Sequence, residues 1–385
     1  MKTFFRPHRN YTSVLFIVAL TLSFVLLAGG IGFQGPDNAT AFTAGQGNVP
    51  AVLDKNNPQI RAVMAIQNRH TPELMALPDV VGTATGLTED GRPAVFVFTK
   101  RIGTRGIPAS LEGTPVKVSV TGEFYALRPG KGSSGTATKV STTSVLTPPV
   151  PIGVSTGNEN ECSAGTIGAR VTDGVHFYAL SNNHVYALEN DAPQHESNRV
   201  LQPGLYDTGC IAGGNFIGEL PRDRVSDFFI PINFGTGSNT VDAALALIYA
   251  DSNGSPMLGN ATPPNGYGTP DSTTADAAIR QAVQKYGRTS QLTAGTVTAI
   301  NGMITINYGA AGNAAFNNQI IVQSAKPFIK PGDSGSLLVT KTGLKAVGLL
   351  FAGDSTGKYA IANDIDTVLT LLSHSLGTTL RIDGN

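Results

Sequence analysis

Short runs of β-branched and aromatic residues, each closed off by Gly, Asn, Asp or Pro, recur along most of this 385-residue chain. That rhythm restricts the fold more than any other feature, because it leaves no room for long helices and demands frequent turns. Residues 166–171 and 175–180 read as two strands around the turn Thr172-Asp173-Gly174, and 200–202, 216–220 and 241–248 continue the series. After a loop rich in Asn, Gly and Pro over 251–272 and one or two helical turns over 275–280, strands resume at 282–286, 295–300, 303–307, 320–323, 345–353 and 359–362. Residues 364–376 then place Ile365, Val368, Leu369, Leu371 and Leu372 on one face of a helix. Two sets of about six short strands with one terminal helix is the pattern of two packed β-barrels. The expected fold class is therefore mainly β.

Composition agrees. Charged residues make up only 14%, against the usual quarter, and there are 45 glycines. Lys plus Arg and Asp plus Glu both number 27, so no charge asymmetry points to nucleic acid. The N-terminus carries Lys2, Arg6 and Arg9 ahead of an uncharged run over 14–33. Residues 1–41 thus read as a signal peptide with Ala39-Thr40-Ala41 as the cleavage site, or as a retained membrane anchor, since the run approaches the length of a bilayer span. Export would carry Cys162 and Cys210 into an oxidising compartment, where a bridge between them is permitted; two buried thiols are the alternative. No cysteine and histidine cluster points to a metal, and no cofactor motif is present.

Between the apolar segment and the long strand series, residues 57–67 have helical spacing, and the runs 80–86 and 94–98 flank the turn Glu89-Asp90-Gly91-Arg92 as a hairpin. With a further strand at 116–121, residues 52–127 are expected to form a small α+β domain. His70 reads as a surface or helix-end histidine. The Gly/Ser/Thr/Pro-rich stretch 128–159 reads as a linker, and a propeptide role for 52–127 is motivated only by its position.

Chemistry concentrates in Pro331-Gly332-Asp333-Ser334-Gly335-Ser336. Glycine tolerates the backbone angles that let N–H groups converge, and convergent N–H groups are what an oxyanion needs. An ordinary tight turn is the competing reading. His184 follows a strand end directly, where a side chain is held yet accessible, whereas His176 lies within the alternation as a face residue. Asp242 is a lone carboxylate in an apolar run and would be expensive to bury without a partner such as an imidazole N–H. Asp227 and Asp223 are weaker candidates for that role.

Taken together, Ser181-Asn182-Asn183-His184-Val185, Val241-Asp242-Ala243-Ala244 and Gly332-Asp333-Ser334-Gly335 resemble, in order, the histidine, aspartate and serine motifs of chymotrypsin-like (trypsin-like) serine peptidases of bacterial type. Residues 283–290 and 293–297 are similar to the opening of the second barrel in bacterial and plant members. The resemblance covers about 160–378 and implies a serine endopeptidase domain of two six-stranded barrels with a C-terminal helix. It implies His184 as general base and acid, Asp242 as its orienter, Ser334 as nucleophile, and the N–H groups of Gly332 and Ser334 as oxyanion hole. It further implies a peptide or protein substrate and no cofactor.

Two departures from that pattern stand out. No Ile-Val-Gly-Gly-type start is found that cleavage could free to pair with Asp333, so the expectation is that another donor holds Asp333 or that it simply shapes the turn. No carboxylate occurs in Pro327-Phe328-Ile329-Lys330, which argues against a preference for Lys or Arg. Phe328 with Phe351, Ala352 and Gly353 points to a small or apolar side chain in the substrate pocket, and Lys330 leaves an acidic one open. A cell-surface binding protein on the same fold, with weak turnover, and a structural β protein are the alternative classes.

Overall fold

The computed structural model describes residues 52–127, 141–235 and 237–385. The apolar run over 14–33, the cleavage site at 39–41 and the first part of the expected linker lie outside the described residues. Among the described residues no helix is long and apolar enough to cross a membrane.

The expected pair of barrels is present, the second closed on itself by strand pairing and the first an open, half-barrel sheet. In the first, Ser155–Asn158 pairs with Gly165–Thr166, and after a kink Ala169–Thr172 pairs with Phe177–Ser181. The sheet continues through Ala244–Ile248, Asn215–Glu219 and Arg199–Gln202 and returns to Ser155–Asn158. In the second, Ala282–Gly287 pairs with Gln291–Asn307, then come Asn313–Gln323, Tyr359–Asp364, Ala346–Asp354 and Leu337–Thr340, which closes on Ala282–Gly287. Closure of the second ring leaves no edge in it free, which is how an all-β protein escapes edge-to-edge association. The fold is thus of the chymotrypsin-like type, with the terminal helix Ile365–Leu376 behind the barrels. Asp364 caps that helix by accepting from the Thr367 N–H at 2.9 Å, and Gly377 ends it in the left-handed region at φ 71°. Its apolar face, Ile365, Val368, Leu369 and Leu372, joins the first-barrel core with Ile167, Leu180, Val200, Ile217 and Leu245.

Three expectations are corrected. Residues 275–280 are not helical: the Ala275 N–H donates instead to the Ala346 carbonyl, so strand pairing wins over a short helix that cannot nucleate alone. The runs 295–300 and 303–307 are one bulged strand, Gln291–Asn307. Most consequential, residues 52–127 are not a separate domain; they belong with the barrels in one unit spanning Pro50–Asn385.

The elements foreseen there do form. Helix Pro58–Met75 starts with Pro58, its N-cap Asn57 accepting from the Gln59 and Ile60 N–H groups, and strands Val80–Leu87 and Pro93–Thr99 make the hairpin. Thr114–Val120 adds in parallel to Pro93–Thr99. However, Val80–Leu87 also pairs antiparallel with Gln291–Asn307, Gly82 opposite Ile304 and Gly86 opposite Ala299. A continuous sheet therefore runs from the N-terminal hairpin into the second barrel. Val81, Ala84, Phe96, Phe98 and Phe124 share a core with Ile304, Ile306, Phe316 and Phe351, so apolar surface that a free domain would expose is covered here.

The described part of the expected linker is likewise structural. Val150, Ile152 and Val154 are fully buried in the first-barrel core, and Ser155–Asn158 is one of that barrel's strands. Its Ser, Thr and Pro content marks tight turns tied to the barrels, as where the Thr142 hydroxyl donates to the Arg288 carbonyl at 2.6 Å.

Candidate active site

His184 leaves the end of strand Phe177–Ser181 on a single helical turn, Asn183–Tyr186, whose four residues are all buried. The turn is fixed from both sides: Asn183 Nδ2 donates to the Ile230 carbonyl and Asn158 Nδ2 to the Tyr186 carbonyl, each at 2.8 Å. Asp242 precedes strand Ala244–Ile248 and is also buried. Its Oδ2 lies 2.5 Å from His184 Nδ1, and its Oδ1 accepts from the His184 backbone N–H at 3.2 Å. The structure thus joins the first two sequence candidates directly. Asp223 and Asp227 are not involved, Asp227 pairing with Arg224 near solvent. His176 pairs with Asp173 and His70 with Glu112, both away from this site.

Two partners of Asp242 were not foreseen. Tyr308, just past the end of the long strand Gln291–Asn307, donates its hydroxyl to Asp242 Oδ2 at 2.8 Å and stacks edge-on against the His184 ring. Asn363 accepts from the Asp242 N–H at 3.1 Å. A buried carboxylate needs several donors, and this one draws them from both barrels. Sequence gives no hint of which tyrosine supplies the donor, because the pairing depends on how the barrels dock.

Ser334 sits in the turn before strand Leu337–Thr340, with Gly332 and Gly335 at φ 94° and 92°. Such angles are unfavourable for any residue with a Cβ, and crowding adds to this at Gly332, where a Cβ would lie 2.7 Å from Thr289 Oγ1 and against the Arg288 guanidinium. Gly165 lies at the seam, with room for no Cβ: one would stand 2.6 Å from Val185 and 3.1 Å from the Ser334 carbonyl. The histidine turn and the serine turn therefore meet across it. The Ser334 hydroxyl donates to the Phe351 carbonyl at 3.1 Å, not to His184, and His184 Nε2 is buried with no hydrogen-bond partner.

The donor expected at Asp333 is Lys285. Both side chains are fully buried, with Lys285 Nζ 3.0 Å from Asp333 Oδ2. Asp333 also accepts from the N–H groups of Thr289, Ser290 and Lys330 and from the Ser290 hydroxyl. Burial pushes the carboxyl up, but the ammonium and these hydrogen bonds outweigh it and hold Asp333 below the ordinary carboxylate range. Beside it, Arg288 makes a two-pronged ion pair with Asp207, next to the Cys162–Cys210 disulfide that the structure contains.

At the residues expected to line a substrate pocket, the structure places another part of this chain. Strand Phe124–Ala126 lies antiparallel on Ala346–Asp354, with Ala126 opposite Ala352 and Tyr125 opposite Gly353. Leu127 follows, and its carbonyl accepts from the Gly332 N–H at 2.8 Å and lies 3.4 Å from the Ser334 hydroxyl. Its side chain is buried in the cluster that holds Phe328 and Ile329, and its Cδ1 would be 3.3 Å from a Cβ on Gly353. Phe328 thus shares a cluster with the Leu127 side chain and Gly353 adjoins it, whereas the Phe351 ring turns the other way onto Phe316 and offers only its carbonyl. Sequence missed Leu127 because a three-residue strand carries too little periodicity to be seen.

No protein-family model matches the chain, and no curated protein sequence matches it. Solved structures do. A glutamic acid specific serine protease is similar over 60% of this chain and 100% of its own, at 22% identity and a TM-score of 0.40. Protease A of Thermobifida fusca covers 61% and 100%, at 18% identity and 0.37. A chymotrypsin of Cellulomonas bogoriensis covers 61% and 99%, at 19% identity and 0.38.

Proposed function

We propose that this protein is an exported serine endopeptidase. The observation that carries the reading is the buried pair His184 and Asp242, 2.5 Å apart, with His184 Nε2 left without a hydrogen-bond partner. Asp242 fixes the ring so that Nε2 is the proton acceptor, and it stabilises the imidazolium once a proton arrives. In this reading the Ser334 hydroxyl leaves the Phe351 carbonyl for Nε2 as its base when substrate binds, since catalytic hydrogen bonds commonly tighten only then. Ser334 Oγ then attacks the peptide carbonyl, its proton passes through His184 to the leaving amine, and water activated by His184 hydrolyses the resulting ester. The N–H groups of Gly332 and Ser334 receive the negative oxygen, worth about a hundred- to a thousandfold in rate. The charged N-terminus ahead of an uncharged run and the disulfide support export.

The Ser334 hydrogen bond to Phe351 favours a second reading, a binding protein on this fold with negligible turnover. A fluorophosphonate probe separates the two. The endopeptidase reading expects labelling of the wild type and none of Ser334→Ala, both folded by circular dichroism; a folded wild type that resists the probe and cuts no protein substrate supports the binder.

A further inference from the structure

We infer that Thr289 is a positioning residue for the oxyanion hole: it holds the peptide between Pro331 and Gly332 so that the Gly332 N–H points at the carbonyl under attack, and Arg288 and Asp207 act through it. This rests on the endopeptidase reading and adds to it the groups that keep one of the proposed donors in place. A trans peptide is planar, with its oxygen and its N–H on opposite sides, so the partner of the oxygen decides where the N–H points. Glycine accepts φ of either sign, and Gly332 at φ 94° therefore gives this peptide little resistance of its own to turning over.

The Thr289 hydroxyl donates to the Pro331 carbonyl at 2.6 Å, and the N–H on the far side of the same peptide donates to the Leu127 carbonyl at 2.8 Å. Arg288 Nη1 donates to Thr289 Oγ1 at 2.9 Å. A guanidinium has no acceptor, so Thr289 receives from it and keeps its single hydrogen for Pro331. Arg288 is fixed in turn: its Nε lies 2.7 Å from Asp207 Oδ2, its Nη2 donates to Asp207 Oδ1, and both side chains are buried. Asp207 also accepts from the hydroxyl of Ser155, on a strand of the first barrel. The next peptide is held in the same manner, since the Arg288 N–H donates to the Thr166 hydroxyl at 3.0 Å and that hydroxyl donates to the Gly332 carbonyl at 2.8 Å.

A buried, two-pronged arginine–carboxylate pair is geometrically rigid and costly to desolvate. Here that rigidity is applied one hydrogen bond away from Thr289 and two from the Pro331 carbonyl. Donors to an oxyanion act only when aimed at the place where the charge develops, and a peptide that spends part of its time turned over presents its carbonyl oxygen there instead. Loss of the Thr289 hydroxyl removes the bond on that oxygen and leaves the His184–Asp242 and Lys285–Asp333 pairs in place. The expected defect is therefore in the rate of the chemical step and not in affinity for substrate.

The test is saturation kinetics of fluorophosphonate labelling, with hydrolysis of denatured casein and the urea midpoint measured alongside, for the wild type, Thr289→Val and Thr289→Ser. Thr289→Val keeps the shape and removes the hydroxyl. It is expected to lower the saturating labelling rate and the casein kcat by about tenfold or more, with half-saturating concentrations within about twofold of wild type and the urea midpoint unchanged. Thr289→Ser is expected to restore the rate. Asp207→Asn with Arg288→Gln removes both charges together; it should slow labelling by itself and add less than about twofold on top of Thr289→Val, because groups that act through one another are not additive. Should that pair not fold, the valine and serine variants decide alone. A wild type that is labelled and cuts casein overturns this inference, and leaves the endopeptidase reading standing, if Thr289→Val is labelled as fast, if Thr289→Ser is as slow as Thr289→Val, or if the slowings multiply in the combined variant. A folded wild type that takes no label and cuts no casein overturns both.

Discussion

Lys285 Nζ lies 3.0 Å from Asp333 Oδ2, and neither side chain reaches solvent. An ammonium on a strand of the second barrel therefore neutralises the buried carboxylate of the serine turn. Removing one member of a buried pair strands the other, at about 3 to 5 kcal/mol. Lys285→Met is expected to lose that much stability in urea titration and to lose fluorophosphonate labelling even where it remains folded. Lys285→Arg, which keeps the charge, should recover part of the labelling.

The same pair sets an acid limit. Asp333 is held below its ordinary value in the folded protein, so the stabilisation is complete above the unfolded carboxyl's pKa of about 3.9 and drains away as pH falls through the lower folded value. Stability of the wild type relative to Asp333→Asn, followed by denaturant midpoint, should be constant at neutral pH and shrink below about pH 4. A difference that grows on acidification would contradict the assignment.

Tyr308 donates to the carboxylate that holds His184. A hydrogen bond to a charged group contributes about 1.5 to 3 kcal/mol, so Tyr308→Phe is expected to slow labelling of Ser334 by about tenfold or more while the fold persists. Equal labelling rates would show that Asp242 needs only its other partners.

Gly332 has no room for a side chain and sits at φ 94°. Gly332→Ala should displace the N–H that now binds the Leu127 carbonyl, lowering the labelling rate by about a hundredfold. Comparison with Gly343→Ala, at φ 84° in open surroundings, separates backbone strain from loss of the donor.

The Cys162–Cys210 bridge closes a loop across 48 positions. In the chain-entropy model such a loop contributes about 4 kcal/mol, and the Cys162→Ser, Cys210→Ser double variant should show a loss approaching that in chemical denaturation.

Much of the barrel pair was legible because strand periodicity and turn residues are local properties. The serine turn, the histidine after a strand end and the lone aspartate could be picked out for the same reason. Lys285 escaped, although the argument used for Asp242 applies to it equally: a single charge inside an apolar strand needs a buried partner. Its burial follows from closure of the barrel, which turns that face inward. What sequence could not show is pairing between distant segments. Val80–Leu87 has the composition of any hairpin strand, and nothing in it names Gln291–Asn307 as its neighbour. The linker reading failed for a related reason, since Pro and Ser content records turns and is silent on whether Val150, Ile152 and Val154 are buried between them.

The sheet that continues from the N-terminal hairpin onto Gln291–Asn307 has one last implication. Hydrolysis at a single position breaks none of those ladder hydrogen bonds and exposes none of the phenylalanines they enclose. A molecule cut in one loop would therefore stay clasped, and separation of its pieces would be governed by how fast the hairpin peels from its neighbouring strand.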